Sequence, residues 1–300
     1  MIKTKCAICG AENNALELYP ARLPNLAENS TAFDPRRERD YYHYQIVKCS
    51  QCGLVRSDPI FEPERLEKFY LDSKFNYSDE SDIKPLNKTY VRYLREMITD
   101  YHLSRGAILD IGCGNGFFLQ AAKELGFGKV AGMEPSQHAI DRAAPEIKPF
   151  IKKGMFKAEF FAPEQYDVIT FFQTFDHIAK PNQFLQDCRQ ILKPGGFILA
   201  INHNVGSLAS RLLGERCPII DIGHAYLYDL KTMRQIFEKN GFKVFAVFPV
   251  KNYMSVNYLL RLMPLPLGLK KWLQSFIKLA KLDQRLLRLR IGNLGIIAQK

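Results

Sequence analysis

The stretch Ile108-Leu109-Asp110-Ile111-Gly112-Cys113-Gly114-Asn115-Gly116-Phe117-Phe118-Leu119 decides how the rest of the chain is read. A short apolar run carries an acidic residue, three glycines follow at alternate positions, and an apolar helical pattern begins at once. That order predicts a strand, a tight loop and a helix N-terminus. The glycines let backbone approach a bound molecule closely, and the open N–H groups at the helix start favour an anionic or carboxylate-bearing group. A cofactor-binding turn is the expectation. Sterics alone can also demand glycines at a βα corner, so its neighbours must support the reading.

Downstream, apolar runs and helical patterns alternate. Strands are expected over 107–111, 129–134, near Phe150, over 166–172 and over 197–202, with helices to 125, over 137–143 and over 181–192. Lys193-Pro194-Gly195-Gly196 is expected to turn the chain before the fifth strand. This alternation means an α/β doubly wound parallel sheet with helices on both faces, and such sheets bind ligands at the carboxyl ends of their strands. A helix over 230–240 and two further strands, over 242–250 and 291–299, complete seven. The segment 251–290 then reads as a helical insertion, with Leu269, Trp272, Leu273, Phe276, Ile277 and Ala280 on one stripe and lysines beside it.

Upstream, Cys6-Ala7-Ile8-Cys9-Gly10 and Cys49-Ser50-Gln51-Cys52-Gly53 repeat one pattern. Each pair sets two thiolates on a tight turn relieved by a following glycine, and two such turns complete a tetrahedral zinc shell. Cys6, Cys9, Cys49 and Cys52 are the expected ligands of a structural zinc, in a small zinc-ribbon-like module over 1–60. A polar loop is expected over 25–40, a strand over 41–48, helices over 59–70 and 87–101, and a linker or flap over 74–84. The helical part, 61–102, would be a linker or cap.

Three hundred residues suit one main domain with smaller additions. Cys6 arrives before any apolar leader, and no apolar run approaches the roughly 18 residues of a spanning helix. A cytoplasmic protein is expected, at most peripherally attached at the inner face of the membrane. The net charge of +11 is uneven: residues 241–300 hold eleven Lys and Arg against one acid, Asp283. Such a face implies an anionic partner, either lipid headgroups, a nucleotide-linked substrate or nucleic acid.

Residues 109–118, the acidic strand end at Glu134, the strand Tyr166-Asp167-Val168-Ile169 and the turn Leu192-Lys193-Pro194-Gly195-Gly196-Phe197 together resemble the motifs of class I S-adenosylmethionine-dependent methyltransferases. They run in the family's order over 103–250, with 291–300 as the last strand. The resemblance implies a mostly parallel seven-stranded Rossmann-like sheet and S-adenosylmethionine as cofactor. By that likeness Asp110, Gly112 and Gly114, with Cys113 between them, line the methionine part, Glu134 and the adjoining Pro135 the ribose, and Gln173 the sulfonium side. Glu134 lies 24 positions after Asp110, where a carboxylate can accept from both ribose hydroxyls. A dehydrogenase would use the same carboxylate, but Gly-x-Gly-x-Gly spacing and the Lys-Pro-Gly-Gly turn favour the methyltransferase.

The sulfonium methyl is already activated, so the protein must align a nucleophile and remove a proton. Asp176, His177, His203, His224 and Tyr228 are the candidate bases. His224 leads, followed by His177 and Tyr228, because histidine titrates nearest neutrality and a second resemblance points to His224. The cysteine pairs, Asp221-Ile222-Gly223-His224, Tyr226 and Tyr228 resemble the sugar C-methyltransferases and related zinc-knuckle methyltransferases of polysaccharide and antibiotic pathways. Those families tend to carry Glu-His where this chain has Gly223-His224, which leaves O-methylation of a sugar hydroxyl at least as well supported. The acceptor is expected to be a small molecule or a glycan on a nucleotide or lipid carrier. Ribosomal RNA is the rival acceptor, on the basic C-terminus. Against it, Cys217-Pro218 is in the wrong order for a catalytic Pro-Cys, and no Asn-Pro-Pro-Tyr motif occurs. A non-catalytic scaffold would not need the intact loop and Glu134.

Overall fold

The structure, a computed structural model, describes residues 1–23, 33, 41–73, 80–262, 266–280, 282 and 285–300. The expected loop over 25–40 lies outside the described residues apart from Phe33. The expected flap over 74–84 lies outside them as far as 79, and from Glu80 onward the chain is helix.

Three short strands open the chain, β1 (Ala15–Tyr19), β2 (Ile46–Cys49) and β3 (Val55–Ser57), followed by α1 (Pro63–Leu71) and α2 (Glu80–Asp100). The alternating region supplies β4 (Ala107–Ile111), α3 (Phe117–Glu124), β5 (Lys129–Glu134), α4 (Gln137–Asp141), β6 (Ile151–Lys153), β7 (Tyr166–Phe172), α5 (Pro181–Ile191) and β8 (Leu192–His203). Then come α6 (Leu208–Leu213), β9 (Tyr226–Leu227), α7 (Leu230–Lys239), β10 (Lys243–Pro249), β11 (Asn252–Ser255), α8 (Val256–Leu262), α9 (Leu267–Leu279), β12 (Leu286–Leu289) and β13 (Asn293–Gln299).

Seven strands form one Rossmann-like sheet in the order β10-β13-β8-β7-β4-β5-β6, and β13 runs against its neighbours. The chain leaves β4 in one direction and returns to β7 on its other side, so the topological switch lies beside the glycine loop. Alternate residues serve two cores. Leu109, Ile111, Ile169, Phe171, Ile198 and Ala200 face the helices α5 and α7. Ile108, Val168, Leu199 and Ile201 face α2 and α3. Burial on both faces is why these strands read as continuous apolar runs.

Three features differ from the sequence expectation. The strand expected from 197 already starts at Leu192, and Lys193-Pro194-Gly195-Gly196 loops out of it as a bulge opposite Asp167. The Lys193 Nζ reaches Asp167 Oδ2 at 2.7 Å, and Gly195 takes φ 75°. The insertion is not purely helical, because β11 and β12 form an antiparallel hairpin on α2. Finally, the N-terminal strands build a four-stranded sheet ordered β1-β2-β3-β9, whose last member comes from residues 226–227.

Gly132 of β5 is packed so tightly that a Cβ there would lie 2.5 Å from Cys113 Sγ and 2.8 Å from Leu119 Cδ1. Gly132→Ala should therefore cost about 1–3 kcal/mol through overpacking, read as a lower urea midpoint at an unchanged slope.

Candidate active site

The glycine loop leaves β4 at the carboxyl edge of the sheet. Gly112 and Gly114 take φ of 76° and 57°, a region that side chains rarely adopt. The Gly112 and Cys113 amides both donate to Met133 O, at 2.8 and 3.1 Å, which draws the loop against β5. A Cβ on Gly112 would meet Thr174 Oγ1 at 2.4 Å, so the loop can follow this path only with glycine there. The Cys113 side chain is buried in the core.

Two buried carboxyls flank this loop. Asp110 accepts from Thr170 Oγ1 at 2.7 Å. Glu134, at the end of β5, accepts from the Gly114 amide at 2.8 Å and the Ser136 amide at 2.9 Å, while Pro135 between them is half-buried. Burial pushes Glu134 up to about 7, and burial together with the Glu134 charge pushes Asp110 up to about 7. Gln173 follows β7 with φ 53°, its amide tied to Ile201 O at 2.7 Å. Among the described residues its buried Oε1 has no hydrogen-bond partner, nor has Asn115 Oδ1 of the loop itself. Unsatisfied acceptors, two carboxylates and a backbone turn open to close approach suit a cationic, donor-rich molecule such as S-adenosylmethionine.

Beyond Gln173, one carboxylate gathers three imidazoles. Asp176 is 1% exposed; its Oδ1 accepts from Asn202 Nδ2 at 3.1 Å and its Oδ2 is bonded by His203 Nδ1. His224 Nε2 lies 3.7 Å from the same Oδ2, while its Nδ1 bonds Ile219 O at 2.8 Å. His177 bonds Gly223 O through Nδ1 at 2.9 Å, and its ring centre lies 4.6 Å from that of His224. The charges of His203 and His224 hold Asp176 well below the usual carboxylate range, against the opposing effect of burial. Burial, with His224 beside it, pushes the His177 imidazole down. Asp176, His177 and His224 each offer one donor atom within 4.8 Å of the others, a set that could also hold a metal ion.

The structure thus brings His177 and His224 together, and separates Tyr228 from them in role. Tyr228 is fully buried, its ring stacked on Phe175 at 5.1 Å and its hydroxyl without a hydrogen-bond partner among the described residues. Burial pushes that phenol well up, so it suits core packing and not proton abstraction. The sequence reading missed Asn202 and Tyr70. Asn202 was signalled by its place at the carboxyl end of β8. Tyr70, whose hydroxyl donates to Gly223 O at 3.1 Å, comes from α1, and nothing in the sequence links it to this site. Gly223 itself is confined: a Cβ there would lie 3.2 Å from His177 Nδ1.

The four cysteines also converge. Cys6 and Cys52 Sγ lie 3.3 Å apart, Cys9 and Cys49 Sγ 3.5 Å, and all four within 4.8 Å. Both turns are built alike, with Gly10 donating to Cys6 O at 2.8 Å and Gly53 to Cys49 O at 3.0 Å. Gly10 and Gly53 take φ of 77° and 84°. This unit is joined to the histidine loop: Ser57 Oγ donates to His224 O at 2.7 Å, and the Ser57 amide to Ala225 O at 2.9 Å.

Comparison with known proteins fits this geometry. A model of the methyltransferase domain matches residues 84–247. The ubiquinone biosynthesis O-methyltransferase of Histophilus somni is 30% identical over 171 residues, covering 51% of this chain and 69% of that protein. That of Stutzerimonas stutzeri is 27% identical over 191 residues, covering 60% and 80%. Among solved structures, a SAM dependent methyltransferase from Archaeoglobus fulgidus superposes with a TM-score of 0.48 at 22% identity, covering 71% of this chain and 94% of that one. With the family model spanning more than half its length, the chain belongs to the methyltransferase domain family and is an S-adenosylmethionine-dependent methyltransferase.

Proposed function

We propose that this enzyme methylates a hydroxyl oxygen of a small molecule, with a sugar on a nucleotide or lipid carrier as the acceptor class. The observation that carries the reading is the Asp176 cluster at the carboxyl ends of β7 and β8. A hydroxyl needs a base and an activated methyl donor. Bound S-adenosylmethionine supplies the methyl group on a sulfonium; Asp110, Glu134 and Gln173 are the residues we assign to hold it. His203 is the base favoured by geometry. Its Nδ1 is engaged by Asp176, which leaves Nε2 to accept the hydroxyl proton, and its side chain is 26% exposed against 7% for His224. Asp176 is placed to stabilise the imidazolium that His203 would become on taking the hydroxyl proton. His224, the first choice from sequence, becomes the second imidazole on the same carboxylate. The O-methyltransferase names of the relatives and the glycine at 223 both support oxygen as the atom methylated.

His203→Asn should lower kcat by about 100-fold or more with little change in cofactor affinity, the usual contribution of a general base. A larger loss in His224→Asn than in His203→Asn would return the role to His224. The readout is transfer of labelled methyl to a panel of nucleotide sugars and lipid-linked glycans.

Cofactor binding should depend on pH. Glu134 and Asp110 are protonated below about 7 in the free protein, and a cationic ligand favours their charged forms. Affinity should therefore rise with pH through about 7, with protons released on binding, as calorimetry in buffers of different ionisation heat would register. The free protein behaves oppositely: its folded carboxyls hold protons that the unfolded chain has lost, so this contribution to stability falls as pH rises toward about 7. Glu134→Gln should flatten both slopes.

The four thiolates we assign to a structural zinc. Their spacing approaches the roughly 3.8 Å edge of a tetrahedron built on Zn–S bonds of about 2.3 Å. Metal analysis should find one zinc per chain. Chelation should lower the melting temperature and abolish methyl transfer before cofactor binding is lost, because the histidine loop hangs on Ser57.

A further inference from the structure

The helix α9 carries its largest apolar side chains outward. Trp272 is 63% exposed, Phe276 56% and Leu279 84%, and Leu269 lies on the same face. The rings of Trp272 and Phe276 stack at 6.0 Å. Leu273 and Ile277, further round the helix, are half-buried, and α9 packs against α8. The amphipathic pattern is therefore only half used by the fold. An exposed apolar stripe of this kind marks a contact surface.

Charge identifies the contact. By helical position Lys271 and Lys278 border the stripe, and residues 251–290 as a whole hold nine Lys and Arg against one acid. A second copy of the chain would set this positive field against itself, whereas an anionic bilayer supplies both the phosphates and the apolar layer beneath them. Tryptophan and phenylalanine beside lysine suit that boundary. Among the described residues no helix is long and apolar enough to cross a membrane, so the contact is with its surface.

The insertion also springs from the catalytic edge of the sheet. Val250 donates to Asn293 O at 2.9 Å where the insertion leaves and returns, and Asn293 pairs with His203 in the sheet. The hairpin is pinned to α2 by the Tyr253 amide on Thr89 Oγ1 at 2.9 Å.

We propose that α9 lies in the headgroup layer of an anionic membrane, with Trp272, Phe276 and Leu279 inserted and Lys271 and Lys278 against lipid phosphates. This surface brings the carboxyl edge of the sheet to the membrane, and it stands whichever acceptor is methylated.

Trp272 is the single tryptophan of the chain, so its emission reports the contact directly. The whole protein is mixed at low salt with vesicles of phosphatidylglycerol and phosphatidylcholine, or of phosphatidylcholine alone. Blue-shifted emission, quenching by brominated lipid and co-sedimentation are expected with the anionic vesicles only, and added salt should reverse them. The double variant Phe276→Ser/Leu279→Ser should weaken partitioning by at least about tenfold, and Lys271→Glu/Lys278→Glu should remove the preference for anionic lipid. Circular dichroism and cofactor affinity, unchanged in both variants, would show that the fold is intact. Unshifted emission with anionic vesicles would overturn the proposal, as would binding that survives Phe276→Ser/Leu279→Ser. A dimer in light scattering that the same substitutions dissociate would overturn it in favour of self-association.

Discussion

A carboxylate removed from water has to be compensated where it stands, and much of this molecule is arranged around how Asp176 meets that demand. Its neighbours come from three places in the chain: Asn202 and His203 from the end of β8, His224 from the loop ahead of β9, and His177 from the residue beside it. Asn202 and His203 supply its hydrogen bonds, so the end of β8 cannot shift without leaving the charge unpaired. The same carboxylate fixes the placement of two imidazoles, His203 through a hydrogen bond to Oδ2 and His224 with Nε2 3.7 Å from the same oxygen.

The cysteine unit acts on this site from behind. Ala7 O accepts from Asn182 Nδ2 at 2.9 Å and Lys239 Nζ at 2.7 Å, which clamps the first cysteine turn onto α5 and α7. Arg56 is fully buried, with Nε on Thr4 Oγ1 at 3.0 Å, and its neighbour Ser57 holds the main chain of the histidine loop. The N-terminal residues therefore serve as a brace for the carboxyl edge of the sheet, and Cys6 and Cys49 share a core with Leu109 and Phe171 of the large sheet.

Elements governed by local pattern were legible in the sequence. The strands Ala107–Ile111, Lys129–Glu134 and Tyr166–Phe172 occur as their apolar runs indicate, because central parallel strands are buried on both faces. The glycine loop and the cysteine turns were legible for a related reason, since each needs a backbone that few residues other than glycine allow. Long-range pairing left no such trace. Tyr226 and Leu227 form a strand only because Arg56 and Val55 lie opposite them, and the hairpin of β11 and β12 joins segments more than thirty residues apart in the chain. The prominence of His203 was equally hidden, since it depends on which ring nitrogen Asp176 engages.

The pairing of β3 with β9 bears on how the chain is made. The first three strands of the small sheet leave a ribosome ahead of the large sheet, and the fourth follows only after some 170 residues have been added, the interval between Val55 and Tyr226. Until then β3 has an open edge, Ser57 lacks its partners at residues 224 and 225, and the brace is unfinished. Contacts of such span form late and slowly. The N-terminal unit is thus completed only after β4, β5, β7 and β8, the central strands of the large sheet it supports, have been made.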